Sequence, residues 1–259
     1  MSTKTAIITG ASSGIGREFA RLHASKGGNL VIVARRGDKL NELKKELENK
    51  YNVNVKVIVK DLCLDNSSQE IYNEVKNADI KINYLINAAG FGRRGEFSIS
   101  SMEKDIEMIK VNIISLTRLT KLFLNDFVKQ GEGRILNVSS TGAVVPGPLQ
   151  AVYCATKSYV ASFSSAVWYE SKGSNITVTN IMPGATNTGF AKTADMNDTP
   201  LFIRTASPVK VAEDGYRGML KGKLNVYSGV PLSQRVLFAI ISLIPKNMVL
   251  RMVYNMQKK

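Results

Sequence analysis

The chain has 259 residues, of which 44% are hydrophobic, enough to fill the core of one α/β domain. It contains a single histidine, His23, and two cysteines, Cys63 and Cys154. A Ser/His/Asp or Cys/His nucleophile site, a metal site built on histidine and a disulfide framework are therefore close to excluded. We expect a protein of the reducing cytoplasm that holds no metal.

The charge of the chain is strongly positive and lies partly at its C-terminal end. The formal net charge is +14, and Val209–Lys259 carries nine Lys or Arg residues against two acidic ones. A lysine-rich solvated surface is one explanation, and attraction to anionic substrates, cofactors or a membrane surface is the other. No RNA-recognition or zinc-finger pattern accompanies the charge, so no nucleic-acid partner is expected. Neither a signal peptide nor an apolar run of the ~18 residues needed for a membrane span is predicted.

Short β-branched runs alternate with longer helical patterns along the chain, which is typical of βαβ units around a parallel sheet. The predicted strands are Thr5–Thr9, Leu30–Ala34, Val53–Val59, Ile82–Asn87, Arg134–Ser139, Ile176–Ile181 and Leu224–Tyr227. The predicted helices are Gly14–Lys26, Asp38–Lys50, Ser67–Lys76, Met102–Lys129, Ala151–Ser171 and Pro208–Leu220. This alternation predicts a single α/β domain over residues 1–259, a Rossmann-type doubly wound sheet of seven parallel strands with helices on both faces.

A glycine-rich loop follows the first strand and opens the first helix. Glycines permit a tight turn and a close approach of backbone to phosphate, and the helix N-terminus supplies free N–H groups. This context predicts a dinucleotide-binding loop. The residues expected at the phosphates are Gly10, Ser12, Ser13, Gly14, Ile15 and Gly16.

The residues after the second strand indicate which dinucleotide is bound. An NAD site would place Asp or Glu there to accept a hydrogen bond from the ribose. Arg35 and Arg36 stand there instead, and because arginine binds phosphate, NADP(H) is favoured over NAD(H). The alternative is that both arginines only lie on the surface at a helix start. Asp61, with Leu62 beside it, is expected at the adenine or, alternatively, near a helix N-cap.

Tyr153 and Lys157 lie four residues apart early in a predicted helix, so they share one face. A phenol has a pKa of about 10, and a neighbouring ammonium favours the phenolate and lowers that pKa. Tyr153 can then give a proton to a carbonyl oxygen or take one from an alcohol. Ser140 ends a predicted strand at the edge where open α/β sheets bind ligands, and its hydroxyl is expected to bind the substrate oxygen.

Taken together, these motifs resemble the short-chain dehydrogenase/reductase family over nearly the whole chain. The shared motifs are the Thr9–Gly16 loop, Asn87-Ala88-Ala89-Gly90, Asn112, Ser140, Tyr153 with Lys157, and Pro183-Gly184 followed by Thr188. The family's Asn-Asn-Ala-Gly has Ala88 at its second place here. Arg35, Arg36 and the extended C-terminus are most similar to the branch of hydroxysteroid dehydrogenases and long-chain 3-oxoacyl reductases.

The resemblance implies a role for each motif. Asn112 would kink its helix and hold a water that links Lys157 to solvent, while Lys157 would also bind the nicotinamide ribose. The implied catalytic residues are Asn112, Ser140, Tyr153 and Lys157. The further cofactor contacts are Asn87, Ala88, Ala89, Gly90, Pro183, Gly184, Thr186 and Thr188. A homodimer or homotetramer is also implied.

Three segments are candidates for the substrate site. The mostly apolar stretch Val144–Val152 precedes Tyr153, and the insertion Thr186–Ser207 stands where a lid would be. Two arginines after the Asn87–Gly90 motif are hypothesised to reach an anionic tail, with a solvent-facing position as the alternative. The candidate contacts are Arg93, Arg94, Val145, Gln150, Phe190 and Phe202.

The C-terminal extension, residues 230–259, contains the apolar run Val236–Ile244, which is too short to span a bilayer. It is predicted to pack on the substrate cleft or a subunit interface. The alternative is an amphipathic anchor in peripheral contact with a membrane surface.

The function predicted from these residues is hydride transfer between NADP(H) and a ketone or secondary alcohol on a bulky hydrophobic substrate such as a steroid. The enzymatic alternative is a 3-oxoacyl-thioester reductase of lipid metabolism. An alternative from another class is a non-catalytic nucleotide-binding regulator. The presence of all four catalytic positions argues against that alternative.

Overall fold

The structure, a computed structural model, describes residues 3–258 and contains one seven-stranded parallel sheet. The strands are β1 (Thr5–Thr9), β2 (Asn29–Ala34), β3 (Val55–Val59), β4 (Tyr84–Asn87), β5 (Gly133–Val138), β6 (Ile176–Pro183) and β7 (Asn225–Ser228). The helices are α1 (Gly14–Ala24), α2 (Gly37–Tyr51), α3 (Ser67–Asn77), α4 (Met102–Ile109), α5 (Leu116–Gln130), α6 (Ala151–Glu170), α7 (Phe190–Thr193), α8 (Pro208–Leu220), α9 (Leu232–Ile240) and α10 (Lys246–Gln257). The predicted doubly wound α/β fold is confirmed.

The strand order β3-β2-β1-β4-β5-β6-β7 reverses direction at β1. In β1, Ile7 lies opposite Val31 of β2 on one side and opposite Leu85 of β4 on the other. The chain first extends the sheet from β1 to β3, then returns to β4 and continues to β7. The loops that leave the carboxyl ends of β1 and β4 therefore diverge, and a crevice opens between them.

Helices cover both faces of the sheet with apolar side chains. On one face α1, α2 and α8 pack on the strands, with Phe19, Leu40 and Met219 in the core. On the other face lie α3 and α5, with Ile71 and Phe123. Because the central strands are buried on both faces, they read in the sequence as continuous apolar runs rather than as alternating patterns.

The predicted helix Met102–Lys129 is not one continuous α-helix. A π turn over Lys110–Ser115 divides it into α4 and α5. The Ser115 hydroxyl lies 2.7 Å from the carbonyl oxygen of Leu62 and 3.0 Å from that of Lys110, and these contacts anchor the turn. Asn112, for which the resemblance implied a kink, lies inside the turn. A local change in hydrogen-bond spacing leaves the apolar pattern nearly intact, so the pattern alone did not predict the interruption.

Two predicted strand starts were too early by two residues. β3 begins at Val55 rather than Val53, and β4 begins at Tyr84 rather than Ile82. Val53 and Ile82 are buried, so they carry the apolar signal of a strand without joining its hydrogen-bond ladder.

The insertion and the C-terminal extension both contain helices. The insertion Thr186–Ser207 holds α7 and a short 3-10 turn, and its ends meet where the Asn187 amide donates to the Ala206 carbonyl at 2.9 Å. The extension forms α9 and α10. Within residues 3–258, no helix is both long and apolar enough to cross a membrane.

The single histidine is part of the contact between α1 and α8. Nδ1 of His23 lies 2.8 Å from the Tyr216 hydroxyl, and Nε2 lies 3.1 Å from the carbonyl oxygen of Lys4. Burial lowers the pKa of His23 from 6.5 to about 4. The folded protein therefore holds this imidazole in its neutral form above that pH.

We expect His23 to make the protein less stable as the pH falls from 6.5 to about 4. In this window the unfolded chain binds a proton at His23 and the folded chain does not, so the free energy of unfolding drops by up to ~3 kcal/mol. Denaturation of the wild type and of a His23→Gln variant at about pH 7.5 and about pH 4.5 measures the effect. The wild type should lose more stability than the variant, and equal losses would contradict the prediction.

Candidate active site

The carboxyl ends of the strands open into a cleft of about 720 Å³. Most of the predicted site residues line it: Gly10, Ser12, Ser13, Gly14, Ile15, Gly16, Arg35, Arg36, Asp61, Leu62, Ala88, Ala89, Gly90, Ser140, Val145, Gln150, Tyr153, Lys157, Pro183, Gly184, Thr186, Thr188, Phe190 and Phe202. Four others do not: Asn87, Arg93, Arg94 and Asn112. Within residues 3–258, no group of three or more His, Cys, Asp or Glu side chains is placed to hold a metal ion.

The glycine-rich loop approaches the chain after β4 at Gly10 and the segment after β6 at Gly14. A Cβ on Gly10, where φ is +69°, would lie 2.8 Å from the Cα of Ala89. A Cβ on Gly14 would lie 3.3 Å from the side chain of Thr188. The loop therefore faces the segment after β6 across the cleft, and the N-terminus of α1 opens between them. This arrangement fits a bound dinucleotide phosphate.

Arg36 reaches from the end of β2 onto the glycine-rich loop. Its Nη2 donates to the hydroxyl of Ser12 at 3.0 Å and to that of Ser13 at 2.8 Å. Arg35 is exposed as well, and its Nη1 lies 3.8 Å from the carboxylate of Asp61. Arg36 and the two serines thus form a group of phosphate-binding donors at the end of the cleft where the ribose of a dinucleotide would lie.

Three side chains predicted to be catalytic meet at the end of β5. Tyr153 and Lys157 are both buried on one face of α6, and the Ser140 hydroxyl lies close enough to the Tyr153 hydroxyl to lower its pKa. Nζ of Lys157 donates to the carbonyl oxygen of Val138 at 2.9 Å and lies 5.8 Å from the centre of the Tyr153 ring. This geometry can hold a carbonyl oxygen against a phenol and a serine hydroxyl.

Burial has the largest effect on the protonation of this pair. It raises the pKa of the Tyr153 hydroxyl above its ordinary value, and the hydrogen bond with Ser140 opposes the rise. It also lowers the pKa of Lys157 to about 8. The pKa of Tyr153 is therefore raised rather than lowered as predicted, because removal from water has the largest effect and Lys157 is not among the causes of the shift. A tyrosine that stays protonated is the form that donates a proton to a carbonyl.

Asn112 is buried in the π turn and holds the loop that follows β4. Its Nδ2 donates to the Phe91 carbonyl and to the Thr156 hydroxyl, both at 3.0 Å, and its Oδ1 accepts from the Phe91 amide at 3.2 Å. A Cβ on Gly90 would lie 3.0 Å from this Oδ1 and 3.2 Å from Nζ of Lys157. Both polar atoms therefore face the same small space, and the relay between them stays a prediction.

The side chain of Asn87 does not reach the cleft, contrary to its predicted cofactor contact. Its Nδ2 donates to the Thr120 hydroxyl at 3.1 Å and to Oδ1 of Asn137 at 2.9 Å. Asn137 donates in turn to the Ser164 hydroxyl at 3.0 Å. This buried chain of hydrogen bonds ties β4 and β5 to α5 and α6, so Asn87 supports the strand ends that carry the site.

Arg93 and Arg94 do not line the cleft. For Arg94 the hypothesis that it binds an anionic substrate tail is not supported, because its guanidinium pairs with Asp195. For Arg93 the same hypothesis stays a prediction. Arg94 donates to the backbone oxygen and to the carboxylate of Asp195, both at 2.9 Å, and its backbone amide donates to Ala194. These contacts tie the loop after β4 to the insertion. Two adjacent arginines in a sequence do not show whether they pair with an acidic residue of the same chain or bind an anionic ligand.

Aromatic rings form a wall beside the Tyr153 hydroxyl. The centre of the Phe190 ring lies 5.3 Å from that of Tyr153 and 6.2 Å from that of Phe202. A Cβ on Gly92 would lie 2.6 Å from Phe190 and 2.9 Å from Tyr153, so only a glycine lets the loop pass this close. The insertion thus contributes apolar surface directly at the catalytic residues.

Sequence reasoning did not identify the residues of the wall formed by α9 and α10. The cleft-lining residues of this wall are Gln234, Leu237, Phe238, Ile241, Met252, Val253, Met256 and Gln257. Gln234, Leu237, Phe238 and Ile241 recur at intervals of three or four residues, and this helical spacing is the sequence pattern that could have identified them. The apolar run alone did not show which face meets the cleft, since its residues are apolar on several sides.

Residues 4–199 match the family model described as short chain dehydrogenase. The chain belongs to the short-chain dehydrogenase family. It is therefore an oxidoreductase of the CH–OH/carbonyl type that uses a nicotinamide nucleotide, and the family inferred from the sequence is confirmed.

Very-long-chain 3-oxoacyl-CoA reductases are among the similar curated proteins. The chain is 30% identical to the one from Homo sapiens over 263 residues, which cover 98% of this chain and 79% of the relative. It is 32% identical to the one from Mus musculus over 211 residues, 78% of this chain and 66% of the relative. The matched region thus spans just under two thirds of the mouse protein.

Solved structures of this family superpose closely on the chain. A short-chain dehydrogenase from Sphingobium yanoikuyae in complex with NADPH is 28% identical, with a TM-score of 0.83 over 93% of this chain and 96% of that one. A bulky-bulky ketone specific alcohol dehydrogenase from Comamonas testosteroni is 26% identical, with a TM-score of 0.80 over 95% and 96%.

We expect carbonyl reduction to slow above about pH 8 because of Lys157. Its ammonium stabilises the negative charge that Tyr153 acquires on donating a proton, and this charge disappears as the pH rises through the lysine pKa. The profile of kcat/KM for reduction between about pH 6 and about pH 10 measures the effect. Lys157→Met should lower kcat/KM by ~100-fold or more at neutral pH and remove the decline.

Tyr153→Phe is the matched control, because it removes the proton donor and keeps the ring. Its activity should be low at every pH while cofactor binding is unchanged. A wild-type profile that stays flat through pH 8 would contradict the role of Lys157.

Proposed function

We propose that the protein is an NADP(H)-dependent reductase of 3-oxoacyl thioesters with long acyl chains. The main support for this proposal is that the cleft has an apolar part beside Tyr153. The walls of this part are formed by the insertion and by α9 and α10. A long acyl chain is a substrate that such walls would bury. The similarity to very-long-chain 3-oxoacyl-CoA reductases over nearly the whole chain supports the same substrate class.

The side-chain amide of Gln150, which lies in this apolar part of the cleft, favours a substrate with two carbonyl groups. Gln150 lines the cleft three residues before Tyr153 and is buried, and its Nε2 has no hydrogen-bond partner within residues 3–258. A buried amide without a partner is costly, so a ligand oxygen would stabilise it. The thioester carbonyl of a 3-oxoacyl substrate lies two carbons from the ketone and is a suitable acceptor.

In the proposed reaction each catalytic residue acts on the ketone oxygen or on the proton it receives. A bound NADP(H) supplies the hydride. Ser140 holds the ketone oxygen, and Tyr153 donates its proton to that oxygen. Lys157 stabilises the resulting phenolate by its charge, and Asn112 lies where a relay could return a proton to the pair. The donors of the glycine-rich loop and Arg36 would hold the cofactor phosphates.

A second candidate is the reduction of a bulky ketone, such as a steroid ketone. The rings of Phe190 and Phe202 are stacked, with an interplanar angle of 20°, and with Tyr153 they give an aromatic lining that a rigid apolar ring system would contact. The similarity to an alcohol dehydrogenase for bulky ketones favours this reading.

A substrate panel with NADPH, followed by absorbance, separates the two candidates. For a 3-oxoacyl reductase, kcat/KM should rise with acyl-chain length. Gln150→Leu should lower it by ~5- to 10-fold, the effect of one neutral hydrogen bond, and leave a ketone without a second carbonyl unaffected. Gln130→Leu, at the end of α5 and outside the cleft lining, is the control. Turnover of steroid ketones but not of 3-oxoacyl thioesters would favour the second candidate.

The preference for NADP(H) is proposed to depend on Arg36. Arg36→Ala removes charge-assisted hydrogen bonds worth ~1.5–3 kcal/mol, so kcat/KM with NADPH should fall by ~10- to 100-fold while kcat/KM with NADH is unchanged. Lys39→Ala is the control, because Lys39 is an exposed cation on α2 that pairs with Glu42. Equal losses with both cofactors would argue against a contact with the 2′-phosphate.

A further inference from the structure

Helix α9 is apolar on two opposite sides, although one of them faces solvent. Leu237 and Phe238 line the cleft on the inner side. On the outer side, Leu232, Val236 and Ile240 are 76%, 54% and 46% exposed. Contiguous exposed apolar residues are uncommon on soluble proteins and often mark an interaction site for a protein or a membrane. The outer side of α9 therefore has the composition of a surface that contacts a partner or a membrane.

Further exposed apolar residues extend this surface on neighbouring segments. Leu243 follows α9 and is 84% exposed, and Met248 on α10 is 63% exposed. Ile203, 79% exposed, directly follows the 3-10 turn that packs against α10. We name Leu232, Val236, Ile240 and Leu243 the outer stripe. These four recur at intervals of three or four residues, as on one face of a helix.

The part of the sequence that contains the outer stripe carries charge of one sign. Residues 215–259 contain eight Lys or Arg residues and no Asp or Glu. Arg235 lies within α9, and the exposed residues Lys246 and Arg251 lie on α10. Exposed apolar side chains beside lysines and arginines are typical of helices that lie in the interface of an anionic bilayer.

We propose that the outer stripe docks the protein on the surface of an anionic lipid bilayer. Leu232, Val236, Ile240 and Leu243 enter the boundary between headgroups and acyl chains, and the neighbouring cations contact lipid phosphates. Docking in this orientation sets the wall formed by α9 and α10 between the membrane and the cleft. The apolar part of the cleft then lies on the membrane side of the protein.

A second copy of the chain fits this surface less well than a membrane. Two copies placed stripe against stripe would bring their C-terminal cations together with no acidic residue from residues 215–259 to pair with them. A stable dimer also needs ~800 Å² from each partner, more than four side chains supply. Peripheral adsorption needs only a short apolar face together with basic residues.

Vesicle flotation of the full chain tests the proposal without any substrate, so its outcome is independent of the proposed reaction. We expect binding to phosphatidylcholine vesicles containing phosphatidylserine to exceed binding to pure phosphatidylcholine vesicles by ~10-fold or more, and to weaken with salt. A variant with Leu232→Ser, Val236→Ser and Ile240→Ser should lose ~10-fold or more of this binding. Lys246→Glu with Arg251→Glu should lose the preference for the anionic lipid.

The matched control replaces exposed apolar residues elsewhere, Leu64→Ser, Ile99→Ser and Val128→Ser, and should float like the wild type. NADPH binding, followed by fluorescence, shows that each variant is folded. A wild type that stays unbound, or an outer-stripe variant that binds like the control, overturns the proposal. If the wild type stays unbound and only the outer-stripe variant changes its mass in light scattering, the surface is an interface between copies of the chain.

Discussion

The close approach of the chain after β1 to the chain after β4 is the constraint on which the site depends. The Thr9 hydroxyl accepts hydrogen bonds from the amides of Ala88 and Ala89, each at 3.1 Å. Gly10 follows at once, with no room for a side chain. These contacts hold the two central strands together where the strand order reverses, so the crevice, the N-terminus of α1 and the loop toward Gly90 keep fixed positions.

Burial near this crevice sets the protonation states of Tyr153 and Lys157. Tyr153 and Lys157 approach the end of β5 from α6, where little water surrounds either group. Removal from water favours the neutral form of each, which raises the pKa of the phenol and lowers that of the ammonium. The two shifts have one cause, and they leave a protonated phenol beside a lysine that can still change its charge near neutral pH. Polar contacts behind the site, from Asn87 through Asn137 to Ser164, keep the strand ends aligned.

The substrate side is built differently from the cofactor side. Its walls come from the insertion and from α9 and α10, which lie outside the central sheet. Arg94 and Asp195 tie the insertion to the loop after β4, and Phe190 places the insertion's ring against Tyr153. The proposed cofactor side is therefore built on backbone contacts of the central strands, whereas the proposed substrate side is lined by side chains from outside the sheet. The inner side of α9 lines the cleft, and its outer side is exposed.

Much of the fold and of the cofactor site could be predicted because the signals are local. Continuous apolar runs and helical periods identify strands and helices, and glycines at a strand–helix junction identify a phosphate loop. Tyr153, Lys157 and Ser140 were predicted from spacing and from strand position. The interruption at Lys110–Ser115 was not predicted from the pattern, since a π turn hardly changes the order of apolar residues.

The sequence by itself therefore determined the family and the alternation of strands and helices, and it predicted Tyr153 and Lys157 as a catalytic pair, because each motif and each element is a pattern of residues near one another in the chain. Only the tertiary structure decided that Asn87 faces a buried network, that Arg94 pairs with Asp195 and that burial raises the pKa of Tyr153. It also decided which side of α9 lines the cleft and which remains in solvent. These outcomes depend on contacts between residues far apart in the chain, and on the water that folding removes from around each group, which no local pattern records.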